Sequence, residues 1–265
     1  MPTPYRPFLP LAPSLLCAVL TAILPSCSPG PKAPQNGTSA DTSGQAVTVP
    51  PRDTMHWHED GAFEQMAFPI VDDNVHHDTL VTQVTIDLKD GTYVMVASSD
   101  QETFEGLRLF RYRLKPDGKP QMLAVSSPAY DSWTMLPTFF RAAEDPSTFI
   151  VLANFGEKQS WGQKAMLLNE KGFSDLCFLD VALPERVKEG DTTYIKLHNA
   201  APRARITEAQ DRTTFEFAGD SLYLYDDLRG GKDYVIAASR VRYEFVRGEL
   251  KLAVDGKALS VPKPS

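Results

Sequence analysis

Through much of this chain apolar and polar residues alternate one by one, and that period of two limits what it can fold into more than any other feature. Thr214 to Gly219, "TFEFAG", places Phe215 and Phe217 on one side, and Ser221 to Asp227, "SLYLYDD", and Arg240 to Val254, "RVRYEFVRGELKLAV", continue the pattern. Alternation of this kind belongs to strands with one face buried and one face in water. "TYVMVASS", "TFIVLANF" and "DYVIAASR" are short runs of β-branched and aromatic residues, the composition of central strands. Turn sequences separate them, among them "KDGT" (Lys89 to Thr92), "KPDGKP" (Lys115 to Pro120), "NEKG" (Asn169 to Gly172) and "LRGGKD" (Leu228 to Asp233). No long amphipathic helix competes. The best helical stretch, "SWTMLPTFFRAAED", is broken by Pro137 and admits one short helix at most. The expected fold is mainly β, an antiparallel sandwich-like domain.

Residues 92 to 114, "TYVMVASSDQETFEGLRLFRYRL", lie without a gap on residues 148 to 170, "TFIVLANFGEKQSWGQKAMLLNE". The offset of 56 pairs Thr92 with Thr148, Tyr93 with Phe149, Ala97 with Ala153 and Gly106 with Gly162. Each copy reads as a central strand, a polar loop with an aromatic residue near a glycine, and a second strand. Propeller blades recur at similar spacing, so a propeller-like fragment is the alternative. A closed propeller needs at least about four blades, however, and only a faint third copy follows near Asp233 to Leu252. Two related sheet units packed face to face suit the length better.

The N-terminus opens with one cation, Arg6, followed by a short apolar stretch from Leu15 to Leu24. Crossing roughly 30 Å of hydrocarbon takes about 20 apolar residues in a helix, so this stretch reads as an export signal. Leu24 to Cys27, "LPSC", resembles the lipobox of bacterial lipoproteins. The resemblance covers residues 1–27 and implies cleavage after Ser26 and lipidation of Cys27. Two or three acyl chains would hold the protein firmly to a membrane. Ser28 after the anchor, by resemblance to sorting in enteric bacteria, favours the outer membrane, facing the periplasm. Six prolines before Ser26 depart from the usual helical apolar core.

Residues 27–51 combine the anchor with a Pro-, Gly-, Ser- and Thr-rich stretch that has little to bury, the composition of a tether. Its expected mean reach is about 25 to 30 Å. Residues 52–265 remain for one β-rich domain with a substantial core. Removing residues 1–26 removes Arg6 alone among charged groups, taking the formal charge from −7 to −8. An acidic balance of this kind argues against a nucleic-acid partner.

Four of the five histidines fall between positions 56 and 78. On extended backbone His56 and His58 in "HWHED" point one way, as do His76 and Asp78 in "VHHD". Two such strands side by side offer the three or four ligands that zinc takes, so these four residues are the candidate set for a divalent metal. They carry no HExxH, no paired CxxC and no EF-hand pattern. Cys177, in "DLCFLDVAL", is the free cysteine left after processing and reads as a small core residue. His198 reads as a strand-end polar residue, and Asp226 and Asp227 as turn residues. No GxSxG elbow, phosphate-binding loop or dinucleotide fingerprint occurs, and no catalytic set assembles.

Aromatic residues in loops on a rigid β scaffold often meet ligands. Phe104, Trp133 and Trp161 are the candidates, Phe104 and Trp161 because they fall at similar places in the two copies. The expected function is a non-catalytic binding or assembly module for an envelope protein or glycan. Two alternatives are a metal-dependent hydrolase built on the histidine cluster and a periplasmic inhibitor or immunity factor.

Overall fold

The computed structural model describes residues 62–72, 79–99, 106–128, 136–156, 159–226 and 229–261. All of them belong to one compact unit, Thr54–Ser265. In chain order β1 (Phe63–Met66) and β2 (Ile70–Val71) come first, then β3 (Leu80–Asp87), β4 (Tyr93–Ser99), β5 (Arg108–Leu114) and β6 (Pro120–Val125). Sheet I has the order β2-β3-β4-β5-β6. Next come β7 (Pro137–Ala142), β8 (Phe149–Gly156), β9 (Ser160–Asn169) and β10 (Gly172–Leu179), which join β1 in sheet II, order β1-β7-β8-β9-β10. The chain then alternates between two further sheets through β11 (Val181–Glu189), β12 (Thr192–His198), β13 (Ala204–Ala209), β14 (Arg212–Phe217), β15 (Ser221–Leu224), β16 (Tyr234–Ala237), β17 (Val241–Val246), β18 (Glu249–Val254) and β19 (Lys257–Ser260). Sheet III is β12-β11-β15-β16 and sheet IV is β13-β14-β17-β18-β19.

Every named pairing is antiparallel, no sheet closes into a barrel, and the fold is mainly β and sandwich-like. Sheet II is the middle layer. Along β8, Phe149, Val151, Ala153 and Phe155 pack in a cluster with Ile86, Val94, Val96 and Leu109 of sheet I. The alternate residues Ile150 and Leu152 pack on the opposite side with Val181 and Leu224 of sheet III and Phe215 and Tyr243 of sheet IV. A strand buried on both faces is apolar nearly throughout, and in "FIVLANFG" the one polar side chain, Asn154, accepts hydrogen bonds from Ser160 and Gln163.

The repeat in the sequence corresponds to a repeat in the fold. Its first copy supplies β4 and β5 and its second supplies β8 and β9, the third and fourth strands of two five-stranded sheets with the same order. The faint third copy does not repeat this arrangement, because its first strand, β16, belongs to sheet III while β17 and β18 pair as a hairpin in sheet IV. The stretch allowed a short helix gives β7 instead, begun by Pro137. Phe139 enters one core and Phe140 the other, a division that only period-2 backbone provides. Among the described residues the only helical elements are 3-10 turns such as Ala201–Arg203 and Ala238–Arg240.

The first strands stitch the layers together. β1 pairs with β7 at the edge of sheet II, Ala62 just before it bridges to Thr207 of sheet IV, and β2 pairs with β3 of sheet I.

Candidate functional site

A polar network lies where sheets II, III and IV meet, and it is the largest concentration of buried chemistry among the described residues. Asp180 is the single residue between β10 and β11 and is 4% exposed. It accepts hydrogen bonds from the Tyr243 hydroxyl on β17 and from Arg229 Nη1 in the β15–β16 connection. Arg229 also donates from Nε to Asp226 Oδ1 at 2.6 Å and from Nη2 to the Tyr225 carbonyl. Asp226 in turn is fixed by its own N–H, which donates to Asp233 Oδ1 at 2.8 Å. Burial by itself would lower the Arg229 pKa, but Asp180 and Asp226 outweigh it and hold the guanidinium charged. Burial, together with the Asp180 charge, pushes the Tyr243 phenol well above its ordinary range.

The network extends into the middle layer. Tyr225 donates its hydroxyl to the Ser160 carbonyl. Ser160 Oγ donates to Asn154 Oδ1 at 2.7 Å, and Gln163 Nε2 donates to Asn154 Oδ1 at 3.2 Å and to Ser160 Oγ at 3.3 Å. These bonds fix the start of β9, and with it Trp161. Gly162 contributes to the same end, since a Cβ there would lie 2.6 Å from the Phe178 ring and 2.7 Å from the Leu179 carbonyl oxygen. Trp161 is therefore held at the rim of sheet II by its neighbours on both sides, with its own ring 42% exposed.

Tyr225, which bonds the Ser160 carbonyl next to Trp161, also leads to the outer face of sheet III through Tyr223. Cross-strand partners share a face, so Ala182–Tyr223, Tyr223–Val235 and Pro184–Leu197 lie on one side of the sheet, where Ala182 and Leu197 are buried and Pro184 and Tyr223 half-buried. Tyr223 packs edge-on against Tyr225, with ring centroids 5.0 Å apart, and Val235 is 41% exposed. The surface continues onto the β11–β12 hairpin, where Arg186 and Ile195 are paired and exposed. Aromatic and aliphatic groups held open beside carboxylates and an arginine suit recognition of a protein surface.

Nucleophilic chemistry has weaker support. Ser127 and Lys164 are the closest approach to a serine–lysine pair. Ser127 Oγ donates to both oxygens of Asp175 at 2.7 Å, however, and Lys164 Nζ forms an ion pair with Asp175 Oδ2 at 2.9 Å. An ammonium group engaged in this way has no lone pair with which to take the serine proton. The three residues instead tie the chain after β6 to sheet II. Cys177 packs against the inner cluster, and burial raises its thiol far above the range in which a thiolate forms. His198 Nε2 lies 2.5 Å from Glu185 Oε2, a cross-strand pair at the root of the hairpin. Of two concavities, one of about 220 Å³ between Phe68, Val84, Ile86 and Phe139 is lined mostly by apolar side chains, and one of about 440 Å³ has Glu144, Glu208 and Gln210 in its wall with no cysteine, histidine, serine or lysine beside them.

Of the residues singled out in the sequence, Trp161 is placed on a strand rather than in a loop, and its ring is open. Cys27, His56, His58, His76, Asp78, Phe104, Trp133 and Asp227 lie outside the described residues. Among the described residues no three His, Cys, Asp or Glu side chains gather to hold a metal, and no helix is long and apolar enough to cross a membrane. Sequence reasoning missed Asp180, Arg229 and Tyr243. Arg229 and Asp233 fall in a segment whose sequence signals a turn, and Asp180 is a lone acid in an apolar run.

No protein-family model, curated protein or solved structure matches this chain.

Proposed function

We propose that this chain is a lipid-anchored envelope protein whose β domain is a non-catalytic module that binds another envelope protein through the outer face of sheet III. The observation that supports this most directly is the contrast between two neighbouring layers of residues. The buried ionisable groups beneath the face, Asp180, Arg229 and Tyr243, are engaged with one another and free for no reaction. Above them Val235 on sheet III and Trp161 on sheet II are exposed, with Tyr223 half-buried. A protein partner suits the face better than a glycan, because aliphatic Val235 and Ile195 share it with the aromatic rings.

The anchor comes from the lipobox resemblance. Cys27→Ser in the full-length chain is expected to move the protein from the membrane fraction to the soluble fraction and to abolish metabolic labelling with an alkyne fatty acid. Retention of label in the variant would remove the lipid from this reading.

Binding is tested with a photo-crosslinking amino acid at Val235 in the full-length protein in its own membrane, with Leu259 on sheet IV as the control position. A discrete adduct to another protein is expected at Val235, and Trp161→Ala should reduce it at least about tenfold, the size of a modest interface contact. Because the ring is open, the same substitution should move Tm by no more than about 2 °C. Loss of fold in Trp161→Ala would make this side chain part of the core. A Val235 adduct profile equal to that at Leu259 would exclude the face.

A further inference from the structure

The edges of the four sheets are unequally protected. β1 is flanked by sheet IV through the Ala62–Thr207 bridge, which also guards β13, and β2 has two residues. β6 begins at Pro120, β10 carries a bulge between Asp175 and Cys177, and β16 and β19 have four residues each. Short edges, prolines, bulges and covering segments are the usual defences against strand pairing. β12 is neither short, proline-bearing nor bulged, and only its end is covered, where Leu197 is buried. It runs seven residues, "TTYIKLH", without proline or bulge, with Tyr194 43% and Ile195 37% exposed and Lys196 as its one lysine.

The backbone of this edge is set to bond outward at known residues. β11 and β12 are joined by Gly190–Asp191, and Gly190 takes φ +60° while Asp191 has no positive φ, the pattern of a two-residue type II′ turn. Residues flanking such a turn, Glu189 and Thr192, form a hydrogen-bonded pair, so pairs alternate from there and Lys188–Thr193, Arg186–Ile195 and Pro184–Leu197 are non-bonded. Pro184, which has no N–H, falls on a non-bonded position, as this phase requires. Thr193, Ile195 and Leu197 therefore direct their N–H and C=O groups away from β11.

We infer that β12 pairs antiparallel with β12 of a second copy of this chain about a two-fold axis at Ile195. In that register Ile195 bonds Ile195 of the second copy, Thr193 bonds its Leu197, and Tyr194 lies across from its Lys196. No like charges meet, and each lysine ammonium faces an aromatic ring. The rest of the acidic chain offers no such self-complementary edge among the described residues. The inference goes beyond the proposed function, because pairing joins two sheets III into one eight-stranded surface and doubles the binding face without obstructing it.

The test uses Ile195→Cys in the full-length chain in its membrane, with Val235→Cys at the opposite edge of the same sheet and the parent chain as controls. A bonded antiparallel pair holds Cα atoms about 5.5 Å apart, inside the usual disulfide range. Mild oxidation should therefore give a disulfide-linked homodimer at position 195, at least about tenfold above Val235→Cys. Ile195→Pro removes one outward N–H and leaves the β11–β12 ladder intact. It should convert a dimer of the detergent-solubilised parent chain, seen by sedimentation, into a monomer with unchanged circular dichroism. A disulfide yield at 195 no greater than at 235, an adduct of 195 to a different protein, or a dimer that survives Ile195→Pro would each overturn the inference. The Val235 photo-adduct reads the proposed function separately, so either result can fail alone.

Discussion

Replacing Gly162 with alanine, a single added methyl group, is expected to lower Tm by about 10 °C or more, from a loss of roughly 3 to 5 kcal/mol. Two costs coincide there. Gly162 has φ +146°, which side-chain-bearing residues rarely adopt, and the new Cβ would lie 2.6 Å from the Phe178 ring and 2.7 Å from the Leu179 carbonyl oxygen. The ring cannot simply swing aside, because it packs edge-on against Phe155 with centroids 5.4 Å apart. Gly118 separates the two costs, since it also has positive φ, +77°, but no atom within 4 Å of its missing Cβ. Gly118→Ala should cost only about 1 kcal/mol, the conformational part alone. Thermal denaturation of the pair, followed by circular dichroism, decides the point. Equal losses in the two variants would show that close packing at Gly162 contributes nothing.

The second large effect is expected at Asp180. Asp180→Asn keeps the shape but removes the charge that faces Arg229, whose side chain is 8% exposed, and weakens the acceptor for the Tyr243 hydroxyl. Breaking a buried pair from one side costs about 3 to 5 kcal/mol, because the remaining charge stays in a poorly solvated site. Asp226 moderates the loss and does not cancel it, since its Oδ1 binds a different guanidinium nitrogen. The double variant Asp180→Asn with Arg229→Gln should be more stable than additivity of the two single variants predicts, the signature of a coupled pair. Chemical denaturation of all four proteins gives the coupling energy. A loss below about 1 kcal/mol in Asp180→Asn would reduce the network to incidental contacts.

The strands were legible because alternation is a local property, written into each stretch of six to ten residues. "TFEFAG" and "RVRYEFVRGELKLAV" become β14, β17 and β18 with Phe215 and Tyr243 inward, as the pattern requires. The offset between Thr92 and Thr148 carried the equivalence of sheets I and II, because like strands in like positions need like side chains. "TFIVLANF" marked a central strand but could not say what covers each of its faces. That depends on sheets formed by residues far along the chain. The helix allowed near Pro137 failed for a related reason, since local propensity at Phe139 and Phe140 gave way to two cores on opposite sides. Asp180, Arg229 and Tyr243 are separated by 49 and 14 positions and share no motif. Only the meeting of three sheets brings them together, so nothing short of the fold could identify them. Trp161 was found through the repeat, and its exposure came from the structure alone.

The stitching at the start of the domain has a mechanical side. Any pull on the chain ahead of Ala62 enters the fold at the one segment that touches sheet IV at Thr207, sheet II through β1 and sheet I through β2 within ten residues. Load is divided among three sheets where it arrives, and no single ladder has to bear it. Sheet III, which carries exposed Val235 and Ile195, makes no named pairing with that segment, so tension there need not distort its surface.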